Sequence, residues 1–296
     1  MANSPNPVRS ALPEPVKRLV HAGSVTVGRL SAGHRMLPSF LIAGGQRCGT
    51  TSLYRALAAH PAVLKAVLHK GVHYFDVDYQ RGPAWYRGHF PLHSTARRVA
   101  ARTGLRAQTF ESSPYYMYHP LAAERIAAEL PDVRLIVLIR DPVERAYSQH
   151  AHEVARGFET ERDFATALAL EEDRLAGEDY LLRTDPDHHS HAHQHHAYTE
   201  RGQYVDHLVR LADAFGRQRI HVVESERFFT DPEPVYDGVL AFLDLPNLGY
   251  PPFERHNARR RAPLPDAVRA GLTEHFAPYN ARLADWLGHR PTFMEQ

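Results

Sequence analysis

Beyond residue 38 the chain alternates short apolar runs with longer stretches whose apolar residues return every three or four positions. The short runs are SFLIAG (39–44), RAQTFE (106–111), RLIVLI (134–139) and RIHVVE (219–224), with AVLKAV (62–67) as a weaker fifth. Apolar runs this short, bounded by polar or turn residues, suit strands covered on both faces. The longer stretches carry helix punctuation. Thr51–Ala59 stops ahead of Pro61, His119–Glu129 stops ahead of Pro131, and Pro142–Arg156 opens on a proline, which the first helical position tolerates. Tyr204–Phe215 and Glu233–Leu243 follow. In the last stretch Leu264, Val268, Leu272, Phe276, Leu283 and Leu287 stand at helical spacing. This alternation predicts an α/β protein. A central, mostly parallel sheet should be flanked by helices in three layers, with the site at the strand C-terminal ends.

The 296 residues are enough for one large domain. Residues 1–37, with prolines at 5, 7, 13 and 15, predict a flexible leader, and 38–296 a single domain. A net charge of +1 gives no case for a nucleic-acid partner. No apolar stretch approaches the roughly 20 residues that span a bilayer, and the N-terminus lacks the apolar core of a signal peptide. The lone cysteine, Cys48, forbids an intramolecular disulfide and fits a reducing compartment, so a cytoplasmic location is expected. Six histidines crowd 188–196, but no carboxylate or cysteine pattern completes a known metal geometry there. That tract reads as a polar loop, and no metal site is expected.

Chemistry concentrates at GGQRCGTTSLYRALAAHP (44–61). A strand meets the turn Gly44-Gly45-Gln46-Arg47-Cys48-Gly49, and Thr50, Thr51 and Ser52 open a helix. Backbone N–H groups in such a turn converge on an anion, and the helix N-terminus adds unpaired donors. The ATP loop G-x-x-x-x-G-K-[ST] nearly fits from Gly44, yet Thr50 stands where its lysine belongs. The apolar run 135–139 ends in Arg140 rather than an acid for Mg²⁺.

These residues resemble the 5′-phosphosulfate loop of the sulfotransferases that use 3′-phosphoadenosine 5′-phosphosulfate (PAPS), where lysine or arginine occupies the position of Arg47. The resemblance continues in RLIVLIRDPVERAYSQH (134–150), with Arg140 ending a strand and Ser148 eight residues on. It implies that Gly45 to Ser52 hold the 5′-phosphate end and that Arg140 and Ser148 hold the 3′-phosphate. YTERGQY (198–204) resembles the family's R-G-x-Y helix start and brings in Tyr204. FERHNARRRAPLP (253–265) resembles a nucleotide-covering loop whose basic residue could be Arg259, Arg260 or Arg261. The likeness spans about 38–287 and implies a P-loop-like three-layer fold, PAPS as co-substrate and PAP as product.

LHKGVHYFDVDYQRGPAWYRGHFP (68–91) is similar to the heparan-type, carbohydrate branch, whose motif K-E-x-H-[FY]-F carries a catalytic glutamate. Here Gly71 replaces that glutamate, while Lys70, His73, Tyr74 and Phe75 stay in register. His73 becomes the first candidate for general base, since imidazole titrates near neutrality, and Glu111 the second. The family's frequent lysine at 112 is Ser112. Arg47 is expected to stabilise charge on the leaving oxygens, with fixed cations in place of a metal. The acceptor is expected to be a saccharide, lipid or small molecule, and a homodimer is compatible with this picture. The aromatic residues Tyr74, Phe75, Trp85, Tyr86, Tyr115 and Tyr116 suit either sugar stacking or core. Two other functions stay open: a kinase with an irregular loop, and a catalytically silent nucleotide-binding protein.

Overall fold

The structure, a computed structural model, describes residues 23–256 and 262–295. Five strands form the sheet: β1 (Phe40–Gly44), β2 (Val63–Lys65), β3 (Gln108–Ser112), β4 (Arg134–Ile139) and β5 (Ile220–Glu224). Their order is β2-β3-β1-β4-β5 and every pairing is parallel. β1 is buried throughout, and β4 is buried after Arg134. This explains the unbroken apolar runs, because helices cover both faces of such strands.

The helices of eight residues or more are α1 (23–30), α2 (Thr50–Ala58), α3 (His93–Thr103), α4 (Ala122–Glu129), α5 (Pro142–Arg156), α6 (Tyr204–Phe215), α7 (Pro232–Phe242) and α8 (Asp266–Leu287). The expected helices thus recur within a few residues of their signals. Asp141 caps α5 by accepting from the amides of Val143 and Glu144, and Pro142 takes a position that needs no donor. Leu272, Phe276 and Leu283 are the buried residues of α8.

The chain leaves β1 toward one edge of the sheet and leaves β4 toward the other. These two neighbours therefore form the switch point, where the connecting loops diverge and open a crevice. The core beneath it stacks Phe40 on Phe110 at 4.7 Å and includes Leu135 to Ile139. A second cluster, with Val143, Phe164, Tyr198 and Phe276, seats the start of α5.

The expected loose leader does not extend through its described part, 23–37. α1 is helical, Ala32 and Met36 are buried, and Arg35 bridges to Leu92. Gly28 permits this docking, since a Cβ there would lie 2.6 Å from the Gly88 carbonyl oxygen. The histidine tract differs too. It holds a short helix, His191–His195, with His193 buried. Among the described residues no helix is long and apolar enough to cross a membrane.

Candidate active site

The turn after β1 is tied to β4 by the Gly45 amide, which donates to the Leu138 carbonyl at 2.8 Å. Within it Arg47 adopts φ 69° and Gly49 φ 88°. Gly49 meets two demands at once: a left-handed backbone, and a Cβ site only 3.0 Å from the Phe229 ring. It precedes α2, whose first turn holds no acidic residue. The amide donors and positive dipole end at that terminus therefore face the cleft with no carboxylate of their own helix beside them.

Beside the turn lies a cleft of about 1090 Å³. Gln46, Arg47, Thr50, Thr51, Lys70 and His73 line it. Lys70 Nζ donates to Thr51 Oγ1 at 2.9 Å and Thr50 Oγ1 at 3.4 Å. Burial pushes its ammonium down to about 8, although the Glu111 charge opposes this. A cation held at such a cost is suited to receiving an anion. The sequence signal for Lys70 was present, three residues before His73, but its reach to the threonines was not.

Other loop residues face elsewhere. Ser52 accepts the His256 amide at 3.1 Å. Cys48 is buried with Sγ 3.6 Å from the Tyr204 hydroxyl, and burial raises its thiol to about 11. Tyr204 supports the loop from the core rather than lining the cleft.

The structure joins the turn to α5 through Arg47. Its Nε donates to Ser148 Oγ at 3.1 Å, and its NH1 lies 3.4 Å from His152 Nδ1. Arg140 instead faces Glu144 at 3.8 Å, both partly exposed, and Glu144 also pairs with Arg269 at 2.7 Å. Arg140 thus precedes α5, while Ser148 lies midway along it and is turned toward Arg47. Arg259, Arg260 and Arg261 lie outside the described residues.

On the opposite wall His73 takes φ 57° and pairs through Nδ1 with Asp76 Oδ2 at 2.9 Å. Burial would lower the imidazole, but the charge and hydrogen bond of Asp76 outweigh it and raise His73 to about 9. The Nδ1 contact leaves Nε2 beside Gly71, and both residues line the cleft. The Asp76 partner of His73 was not foreseen from the sequence; its spacing from His73 was the available clue. Glu111 is 0 % exposed. Its Oε2 accepts from Ser113 Oγ at 2.7 Å and the Val72 amide at 3.3 Å. Burial raises it to about 7 despite those bonds. It therefore backs the cleft wall without touching the cleft.

Gly71 is not a simple loss of an acid. A Cβ there would lie 2.5 Å from the Ser112 carbonyl oxygen, so this backbone accepts no side chain at 71. Of the aromatic residues considered for stacking, Trp85 and Tyr115 line the cleft. Tyr74, Phe75, Tyr86 and Tyr116 are core, with Tyr74 stacked on Tyr86 at 4.8 Å. Five of the six histidines of the crowded tract are bound individually: His188 to Glu178, His193 to Tyr115, His195 to Glu153, and His191 and His196 to the Phe158 carbonyl.

A parallel sheet with a glycine turn, a cationic cleft and a helix N-terminus at its switch point defines an α/β protein with a crevice suited to an anion. Residues 37–254 match the family model described as the sulfotransferase domain. The chain belongs to that family. It is 30% identical over 214 residues to the heparan sulfate glucosamine 3-O-sulfotransferase 5 of Mus musculus, covering 72% of this chain and 55% of that protein. It is 28% identical over 232 residues to the bifunctional heparan sulfate N-deacetylase/N-sulfotransferase 1 of Caenorhabditis briggsae, covering 77% of this chain and 24% of that protein. The match thus spans about half of the first relative and a quarter of the second. The crystal structure of a sulfotransferase from Alicyclobacillus acidocaldarius superposes with a TM-score of 0.66 at 26% identity, covering 88% of this chain and all of that one.

Proposed function

We propose that the protein transfers the sulfuryl group of PAPS to an acceptor hydroxyl and releases PAP. The observation that carries this reading is the Arg47–Ser148 contact across the β1/β4 crevice. It joins the cation of the turn after β1 to the helix that follows β4, the two places where the ends of a bisphosphorylated nucleotide should sit. The residues fit such a donor. Arg47, Lys70, Thr50 and Thr51 line the same cleft and bring donors and positive charge to it.

PAPS supplies an activated sulfuryl group whose leaving group is PAP. Lys70, Thr50, Thr51 and the loop amides hold the 5′-phosphate. Arg47 lets go of Ser148 and stabilises the charge that gathers on the bridging oxygen. Ser148 is thereby freed for the 3′-phosphate together with Arg140. Arg140 exchanges Glu144 for that phosphate at little cost, because a partly exposed ion pair at 3.8 Å is weak. Fixed cations take the place of a metal in this scheme. His73 accepts the acceptor's proton at Nε2 while Asp76 holds Nδ1. With His73 raised to about 9, the base form gains population as pH rises toward that value, so turnover should climb through the neutral range.

A saccharide is the favoured acceptor, since the relatives above are named for heparan sulfate, with a small molecule as the alternative. The cytoplasmic setting belongs to the same proposal. Calorimetry with PAP and with Mg²⁺-ATP, followed by a mass-shift screen of acceptors with PAPS, tests it. Expected are PAP binding, no ATP binding and an acceptor heavier by one sulfuryl group. Mg²⁺-ATP binding with a phosphorylated product would establish a kinase instead. PAP binding with no sulfuryl loss from PAPS would establish a silent nucleotide-binding protein.

A further inference from the structure

The loop residue before Arg47 is held by two partners of opposite character. The side-chain carbonyl of Gln46 accepts from Arg201 NH1, and its amide nitrogen donates to Glu153 Oε1 at 3.2 Å. A guanidinium can only donate and a carboxylate can only accept, so a flipped amide would lose both bonds. The orientation of Gln46 is therefore dictated.

Each partner is itself fixed. Arg201 is 5 % exposed and lies 4.8 Å from the ring centroids of both Tyr115 and Tyr118. Its NH2 donates to the carbonyls of His193 at 2.8 Å and Gln194 at 2.7 Å. Glu153 is buried, and its Oε2 meets His195 Nδ1 at 2.9 Å. The crowded histidine tract thus has a structural part to play, since its carbonyls and one of its rings lock both jaws.

The same helix receives two successive loop residues. On α5, Glu153 takes Gln46, while Ser148 and His152 take Arg47. A shift of one loop residue along α5 would carry the other with it. Arg47 also has a left-handed backbone, which strains a residue with a Cβ. Such conformations persist where the surroundings over-determine them. Gly49 restrains the turn from the helix side, and the Gln46 contacts restrain it from the other.

We propose that Arg201 and Glu153 clamp the Gln46 amide and thereby position Arg47 for sulfuryl transfer. All three act through Arg47 and are positioning residues. The proposal rests on the sulfotransferase reading and adds to it the part of the chain that aims the transferring cation.

The test is a polarity exchange. Gln46→Glu sets one carboxylate against another at Glu153. Adding Glu153→Gln repairs the pattern: residue 46 then only accepts, from Arg201 and from the new amide, whose oxygen still accepts from His195. Single-turnover release of labelled sulfate from PAPS, with water as acceptor where no other is known, reads the rate. Calorimetry with PAP reads donor affinity, and hydrogen exchange of amides 45–49 reads the loop itself. Gln46→Glu should slow release about a hundredfold, the scale of a reacting group misplaced by an ångström. PAP affinity should fall by a smaller factor than the rate, since the added carboxylate also lines the anion cleft. The double variant should recover at least about tenfold of the loss, as coupled neighbours do. Gln46→Ala, which adds no charge, should slow release about tenfold with its PAP affinity kept.

Losses in the double variant equal to the product of the single losses would overturn the clamp. So would a full-rate Gln46→Glu, or a loss confined to PAP affinity. Loop exchange should quicken in Gln46→Glu and return toward wild type in the double variant. Unchanged exchange in the single variant would overturn the clamp even for a protein that turns over no PAPS. Wild-type protein that binds PAP but releases no sulfate would instead overturn the sulfotransferase reading.

Discussion

The turn at 44–49 and the segment at 68–76 face each other across one cleft, yet they are built in opposite ways. The turn works with its own backbone. Its bends come from Arg47 and Gly49, and its donors come from α2 immediately after it. The segment 68–76 borrows its shape from the end of β3. Ser112 N donates to the Lys70 carbonyl at 2.8 Å, the Val72 amide to Glu111, and the His73 amide to Ser113 Oγ at 3.0 Å. An anion cradle can therefore be written into a dozen consecutive residues. The wall that carries His73 depends on two stretches about forty residues apart.

The contrast is sharpest at Arg47. Arg47→Ala should lower the transfer rate by about a thousandfold, the upper range for losing one preorganised charge-stabilising group. The thermal midpoint should stay near wild type, because the side chain lies at the cleft. A variant within tenfold of wild type would shift the charge-stabilising role to Lys70. On the other wall, His73→Ala should cost about a hundredfold, the lower range for general-base catalysis. Asp76→Asn should move the rising limb of the pH–rate profile toward acid. Asp76 is what holds His73 up near 9, and without it burial alone pulls the imidazole down. A limb that stays in place would take the base role away from His73.

Arg140→Ala should weaken PAP about tenfold, in keeping with one charged hydrogen bond, and leave adenosine 5′-phosphosulfate unaffected. Equal losses for both ligands would remove the 3′-phosphate from Arg140. Behind the wall the expected effect is on stability rather than on rate. Glu111 titrates near 7 in the folded protein, above its ordinary 4.5, so stability should fall as pH rises through that interval. Glu111→Gln should raise the thermal midpoint at pH 8 and change it little at pH 5. The gain is worth roughly 3 kcal/mol from that displacement. A midpoint unchanged at both values would mean that folding leaves the Glu111 carboxyl at its ordinary 4.5.

The strands and long helices were legible because burial on both faces of a parallel sheet forces continuous apolar runs, and prolines mark several helix ends. The turn was legible because Gly49 and the threonines act where they stand in the chain. Ser148 could be singled out in the sequence, but its partner could not: a helix periodicity cannot say whether Ser148 looks toward Arg140 or Arg47. Lys70 could be aligned and Asp76 could be counted from His73, yet neither contact follows from spacing. Glu111 looked like a candidate base because carboxylates are, and only its burial excludes contact with an acceptor. The aromatic residues around 74–86 offered two fates, and packing chose the core for most of them.

By itself the amino-acid order determined the layered α/β architecture, the phosphate turn and the likeness that points to sulfuryl transfer. Those rest on interactions between near neighbours and on patterns that burial imposes along one strand or helix. Tertiary structure alone decided that Gly71 excludes a side chain, that the histidine tract braces the loop, and that Gln46 is gripped from both sides. Those outcomes depend on distances between segments dozens to more than a hundred residues apart, and side-chain direction at such range is set by packing.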